Sequence, residues 1–293
     1  MNKLKKQSDG QEWTAVITSK TRRFSLNLKE VWKYRDLIWL TVRRDFKTRY
    51  KQTILGPLWF IIQPLLSTFI YNFVFGSIAG LAPGGVPSFL FFMLGNITWT
   101  FFASSLTMTS ATFTGNAALF GKVYFPRLTM PISTMITRFI DFIIQFLMYL
   151  LFALYFFLTS KNFEITWVAA LTPVLLLQAG ILGLGFGIII SSVTTKYRDL
   201  QVLVGFGVSL WMYLTPVVYS LSSLPFGGST AETIIMCNPV TPIILLMRYG
   251  WLGCEYNPNI WMYWGISVGV TMIVLILGIM IFNRIEKNFL DTV

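Results

Sequence analysis

Histidine is absent from this chain of 293 residues, acidic residues number twelve and cysteines two. Without histidine the chain lacks the commonest general base at neutral pH and the commonest metal ligand. The twelve acids are scattered rather than clustered, so neither a metal site nor an acid–base enzyme at a membrane face finds its residues here. Two cysteines, Cys237 and Cys254, cannot make a disulfide framework. They leave room for a single bond, and two free thiols are the simpler expectation. Charge of either sign is scarce, at 12% of residues against about 25% in a soluble domain. The first forty residues hold no apolar core followed by small residues, so no cleavable signal peptide is expected. No internal repeat of the kind often found in secondary transporters is visible.

What is present in quantity is apolar surface. The chain is 55% hydrophobic with a mean hydropathy of +0.64, more than one globule can hide, and lipid is therefore the solvent for much of it. The net charge of +11 would point to nucleic acid in a soluble protein. Here the charges lie almost entirely outside the apolar stretches, so they belong with membrane lipid and no nucleic-acid partner is expected. A bilayer core about 30 Å thick needs roughly 20 apolar residues per helix. Six stretches qualify: Pro57–Gly80, Pro87–Thr109, Thr129–Leu158, Thr166–Ser192, Leu200–Ser220 and Ile260–Phe282. They do not alternate polar and apolar residues as barrel strands do, and helices satisfy the backbone within lipid. The predicted fold is all-α and integral to the membrane.

Lysine and arginine orient it. Residues 1–56 hold fourteen of them, and Lys122, Arg127, Lys196, Arg198, Arg284 and Lys287 fall on the same side. The opposite connections hold only Lys161 and Arg248, which places both termini in the cytoplasm. Residues 1–27 read as a polar tail, 28–56 as an amphipathic interfacial helix and basic loop, 57–283 as the six-span domain, and 284–293 as a cytosolic tail. In the second of these, Leu28, Val31, Trp32, Leu37, Ile38, Leu40 and Phe46 are interleaved with Lys29, Lys33, Arg35, Arg43, Arg44 and Lys47, a pattern suited to a membrane surface. An ordinary positive juxtamembrane segment accounts for the same charges. In the external segment 221–259, Pro242–Gly253 is apolar enough to re-enter the membrane as short helices.

Five blocks then carry a family likeness. RRDFKTRYKQTILGPLWFIIQP runs from Arg43 to Pro64, GKVYFPRLTMP from Gly121 to Pro131, and KYRDL from Lys196 to Leu200; TPVVYS at Thr215–Ser220 is followed by NPVTP at Asn238–Pro242, and RIEKNFLDTV ends the chain. In this order and on this topology they closely resemble the polysaccharide-export permeases of ABC transporters, the class that moves O-antigen, teichoic acid and capsule. The resemblance implies a homodimer of this chain in a bacterial inner membrane with two copies of a separate ATPase, which would hold ATP and magnesium; the chain itself is expected to hold no cofactor or metal. It implies that Asn116–Arg127 is the coupling helix docked on that ATPase, with Asn116, Lys122, Tyr124, Phe125, Pro126 and Arg127 as its residues. It also implies that the first and fifth spans line the export path of a lipid-linked polysaccharide.

The residues themselves fit such roles and plainer ones too. Pro57 is suited to open a helix, Gly56 frees the turn before it, and Leu55 completes the loop. That holds Arg43, Arg44, Lys47, Arg49 and Lys51 at the level of lipid phosphates, where a polyprenyl-diphosphate head group would sit. General attraction to anionic lipid explains the same cluster. Pro126 breaks the helix before the third span and leaves a short knob able to transmit a push, or simply a loop anchoring the span. Trp59, Phe60, Tyr71, Trp211, Tyr213 and Tyr219 lie on the two lining spans, where rings can stack on sugar faces; interfacial belts also use tryptophan and tyrosine. Arg138 and Asp141 are spaced to pair on one helix face near a span end, which favours a structural role. Gly76–Gly80, Gly183–Gly187 and Gly205–Gly207 read as close-packing faces. GLGFG at 183–187 has the wrong spacing for a dinucleotide fingerprint. In Gly115–Lys122 the second glycine of a phosphate loop is one place late and Val123 replaces the magnesium-binding hydroxyl. The energy therefore has to come from a partner, and this chain is expected not to be an enzyme. An ABC exporter of a drug or another lipid stays open as the alternative. An ion-driven transporter has only Asp141 as a carboxylate within a span.

Overall fold

Long apolar runs with few breakers become long helices. The computed structural model describes residues 28–51, 54–116, 125–159, 163–194, 199–223 and 230–288, and every regular element among them is helical. Five helices are long and apolar enough to cross a bilayer: α3 (Trp59–Ile78), α4 (Ser88–Ser110), α6 (Thr129–Thr159), α7 (Trp167–Thr194) and the Ile260–Phe282 part of α11 (Ile260–Asn288). The short α5 (Thr112–Gly115) continues α4. These coincide with five of the predicted spans.

The sixth differs at one end. α8 (Leu200–Leu214) has 15 residues and stops six short of the predicted Ser220. At 1.5 Å per residue it is about 22 Å long, less than the hydrocarbon thickness. The cause is local: Thr215 precedes Pro216 and is extended (φ −108°, ψ 139°), the conformation that a following proline imposes. Hydropathy counts Pro216–Ser220 as apolar without seeing this break. Beyond it, α9 (Thr230–Cys237) and α10 (Thr241–Leu252) meet at 88°, a broken or re-entrant pair where short external helices were predicted. Pro242 stands in the first turn of α10 and Gly253, at φ +67°, ends it.

The helices are unequally buried. In the apolar windows of α4 and α7, 78% and 67% of residues are buried, against 28% in α6 and in α11 and 11% in α3. α4 and α7 form the centre, and glycines let them approach. A Cβ on Gly187 would lie 2.5 Å from Thr109 Cβ, and one on Gly183 would lie 2.9 Å from Ser105 Cβ, both on α4. Gly185 turns the other way, to Val274 on α11. The 183–187 glycines are thus a two-sided packing face, as expected. Gly205 and Gly207 on α8 have open space where a Cβ would go, so they pack against nothing among the described residues.

Before the first span, α1 (Leu28–Lys33) leads into α2 (Arg35–Tyr50), which lies against α6. Val31, Ile38 and Val42 are buried beside Leu128, Ile132, Ile136 and Ile140. This stripe is narrower than the sequence pattern, because Trp32 and Leu40 are exposed. Of the segment expected to couple to an ATPase, Asn116 and Phe125–Arg127 are described; Lys122 and Tyr124 lie outside the described residues, as do Lys196–Arg198 and residues 289–293 of the C-terminal tail.

Candidate functional site

Two ionic groups sit inside the helical body, one near each end of the spans. The first is built on α6. Asp141 is one turn after Arg138, so their side chains meet at 2.8 Å on one face. Arg49, near the end of α2, reaches the same carboxylate oxygen, Oδ2, also at 2.8 Å. Asp141 is 7% exposed, and its other oxygen, Oδ1, has no hydrogen-bond partner among the described residues; neither has Nε of Arg138. Both residues line a cavity of about 450 Å³ between α2, α3, α4 and α6. Its wall is unusually polar for a span: Gln63 and Ser67 from α3, Asn96 and Ser104 from α4, and Gln145 from α6. Phe60 forms part of the floor. It is buried, stacks on Phe46 at 5.5 Å and lies 5.6 Å beneath the Arg49 guanidinium. Trp59 and Met108 are exposed at the rim.

The second group is at the opposite end. Arg248 on α10 is fully buried and pairs with Glu255 at 3.0 Å. Its Nη1 also donates to the carbonyls of Pro216 (2.6 Å) and Tyr219 (3.5 Å), and its Nη2 to that of Val217 (2.7 Å). These are backbone acceptors released where α8 ends early. The guanidinium lies 3.5 Å over the Phe91 ring, and Gly95 leaves the space for it: a Cβ there would be 2.5 Å from Nη2. Glu255 uses both oxygens, since Oε1 accepts from the Leu221 N–H at 3.0 Å. Irregular backbone is tolerated at membrane depth only when its polar groups are satisfied, and here one buried arginine does so.

The ABC-2 type transporter family matches residues 36–252, a stretch that runs from α2 through α10 and takes in Arg49, Arg138, Asp141 and Arg248, stopping just short of Glu255. The chain belongs to that family. As an ABC-2 chain it is similar to the O-antigen export system permease protein RfbA of Klebsiella pneumoniae, with 29% identity over 257 residues, 87% of this chain and 94% of that protein. The protein of the same description from Myxococcus xanthus is 28% identical over 218 residues, covering 74% of this chain and 80% of its own length. The polysialic acid transport protein KpsM of Escherichia coli is 26% identical over 208 residues, 70% of this chain and 77% of that protein.

Within this ABC-2 chain the predicted site residues separate. Of the basic cluster, Arg49 enters the cavity, whereas Arg43, Arg44, Lys47 and Lys51 are exposed along α2 and its end, Arg43 over Trp39 and Arg44 paired with Asp45. Leu55 is exposed and Gly56, at φ +48°, makes the left-handed turn into Gly56–Leu58, the 3₁₀ turn that contains Pro57. Asn116 closes α5 on the Thr112 carbonyl. Phe125 is buried with Met130, Leu184, Ile188 and Phe282, Pro126 accepts the Thr129 N–H that starts α6, and Arg127 is half-buried. Phe125 therefore roots this connection in the helical core. Of the aromatic set, Trp59 and Tyr213 are exposed, Tyr71 donates to Met212 Sδ across α3 and α8, and Trp211 is held edge-on by Trp99, Phe102 and Phe186. Tyr219 lies half-buried beside Arg248. Both cysteines are free.

Sequence reading missed the Arg49–Asp141 pair, which joins residues 92 apart, and the amides of Gln63, Asn96 and Gln145 around it. It also took Arg248 for a loop charge. One signal was present: between Glu232 and Arg284, Arg248 and Glu255 are the only charged residues in an otherwise neutral stretch. Such isolated opposite charges are the ones that end up paired inside.

Proposed function

We propose that this chain is the membrane subunit of an ATP-driven exporter that carries a polyprenyl-diphosphate-linked polysaccharide, of the O-antigen or capsule kind, out of the cytoplasm across a bacterial inner membrane. The observation that carries this reading is the likeness to O-antigen export permeases over 87% of the chain. In this reading both termini are cytoplasmic, and two copies of the chain work with two ATPase subunits that bind ATP and magnesium. Exposed apolar residues on α3 (Leu66, Phe69, Phe73) and α8 (Leu203, Phe206, Leu210) support pairing of two copies along these helices. The open glycines 205 and 207 allow a close approach there. The basic residues Arg43, Arg44, Lys47 and Lys51 draw the lipid diphosphate to the inner surface, and Arg49 meets it at the cavity. The connection Asn116–Arg127 receives the push of the ATPase, and Phe125 passes it to α7 and α11, against which it packs. Trp59, Phe60, Tyr71, Trp211, Tyr213 and Tyr219 lie on the path or steady its walls.

Depletion of the protein in its host, followed by mass spectrometry of lipid extracts, tests the reading. Accumulation of a long glycan on a polyprenyl-diphosphate carrier is the expected result. Unchanged carrier lipids in a cell that makes such a glycan would overturn it and leave export of another lipid or a drug.

A further inference from the structure

The export reading leaves open where the first polar unit of the cargo is held. The cavity beside Asp141 has the complementary chemistry. Asp141 Oδ2 is occupied twice, by Arg49 and Arg138, while Oδ1 accepts from no group among the described residues. Nε of Arg138 likewise donates to no group among them. Both atoms are out of solvent contact while Arg49 is tied to Asp141, and each, left unpaired, carries a desolvation penalty that a ligand supplying the opposite group would relieve once that tie opens. The donor calls for an anionic or carbonyl oxygen. The acceptor calls for a hydroxyl or amide hydrogen. A glycosyl phosphate offers both within a few bonds.

The remaining wall agrees. Gln63, Asn96 and Gln145 present amides, which both donate and accept and so tolerate the mixed hydrogen bonding of a sugar. Trp59 at the rim offers an exposed ring face to a sugar. A volume of about 450 Å³ lies within the usual range for a small-ligand site. We propose that this cavity is a subsite for the phosphate-linked first sugar of the cargo, with Arg138 and Arg49 on the phosphate and Asp141 and Gln145 on sugar hydroxyls. Asp141 has a second task there. While the site is vacant its carboxylate neutralises both guanidinium groups; when a phosphate arrives, Arg49 can exchange one anion for another, which loosens the tie between α2 and α6. The inference rests on the export reading for its choice of a carrier-linked ligand. The shared chemistry, a phosphate ester bearing hydroxyls, is also that of phosphatidylglycerol, and the test separates the two.

The full chain, with its ATPase, is placed in phosphatidylethanolamine nanodiscs, and equilibrium binding is measured for farnesyl diphosphate, farnesyl-diphosphoryl N-acetylglucosamine and phosphatidylglycerol. Wild type is expected to prefer the glycosylated probe over the bare diphosphate by about tenfold, the effect of one well-formed hydrogen-bond set. Phosphatidylglycerol is expected not to displace it at equal concentration. Asp141→Ala should bring the ratio near one while tightening bare diphosphate, because two guanidinium groups lose their internal anion. Gln145→Leu, which changes no charge, should lower the ratio with diphosphate binding unchanged, and it keeps the test sound if D141A folds poorly. Arg138→Gln should weaken both probes. A ratio unchanged in both D141A and Q145L, or equal displacement by phosphatidylglycerol, overturns the subsite. Absence of preference in wild type, in a host whose carrier-linked glycan does accumulate on depletion, overturns the subsite and leaves the export reading standing. A preference that D141A abolishes, in a host without such accumulation, supports the subsite and overturns that reading.

Discussion

Arg138–Asp141 and Arg248–Glu255 are made from the same chemical groups and are used differently. Each couples an arginine to a carboxylate inside a helical membrane protein, and each leaves an arginine Nε without a partner among the described residues. An orphan N–H alone therefore does not mark a site. The carboxylates and the space around them separate the two. Glu255 accepts from Arg248 and from the Leu221 N–H, and the guanidinium beside it is packed on Phe91 with no room for a Cβ on Gly95. Asp141 has one oxygen doubly used and one without a partner among the described residues, and it lines a cavity ringed by side-chain amides. A group whose partners are complete is architecture. One whose partners are incomplete, in residues that line a cavity, is poised for something that comes and goes.

The comparison breaks most visibly at Arg248. Arg248→Met should destabilise the protein by about 3–5 kcal/mol, the usual cost of stranding one member of a buried ion pair. Here Glu255 and the 216–219 carbonyls are left as well. Thermal unfolding in detergent checks this, and adding Glu255→Gln should restore part of the loss. A stable single variant would mean that Arg248 is no strut. At the other site the expected order reverses, with function suffering before stability. Arg49→Glu should reduce export on the order of tenfold, the scale of one charge-assisted contact, with co-purification of the ATPase unchanged. Export at the wild-type level would assign Arg49 to lipid attraction alone.

The smallest effect concerns the thiols. Burial pushes the Cys254 thiol, next to Glu255, up to about 12, whereas Cys237 is exposed. The raised value leaves about 10⁻⁵ of Cys254 as thiolate at pH 7, so maleimide should label Cys237 and spare Cys254. Labelling of Cys254 should rise about tenfold per pH unit until that value is approached. Equal labelling at pH 7 would show that the outer network opens.

Spans α3, α4, α6, α7 and α11 were legible in the sequence because hydropathy over twenty residues integrates a strong signal. The premature end of α8 was legible too, in Thr215-Pro216, but a hydropathy window averages across such a break. Arg138–Asp141 could be read because its two residues share one helix. Arg49–Asp141 could not, since it exists only after α2 has docked on α6 through Val31, Ile38 and Val42. The basic cluster drew attention as a block, and the fold divides it, with Arg49 drawn inward and the others left facing outward. Phe125, expected as part of a contact with a partner, is anchored in the core among Met130, Leu184, Ile188 and Phe282, a set of neighbours that only the packed helices bring together.

The early end of α8 has a consequence for leakage. The carbonyls of Pro216, Val217 and Tyr219 are the kind of oxygens that, gathered in a channel filter, replace the water around a passing cation. In this chain they already surround a cation, one that is covalently part of the protein and cannot leave. A wide, wet polymer track requires unwound backbone somewhere, and unwound backbone invites potassium and sodium. With a guanidinium in permanent residence, a fixed positive charge already fills the place among those oxygens and repels a second cation, so this stretch of bare backbone contributes no foothold for ion leak.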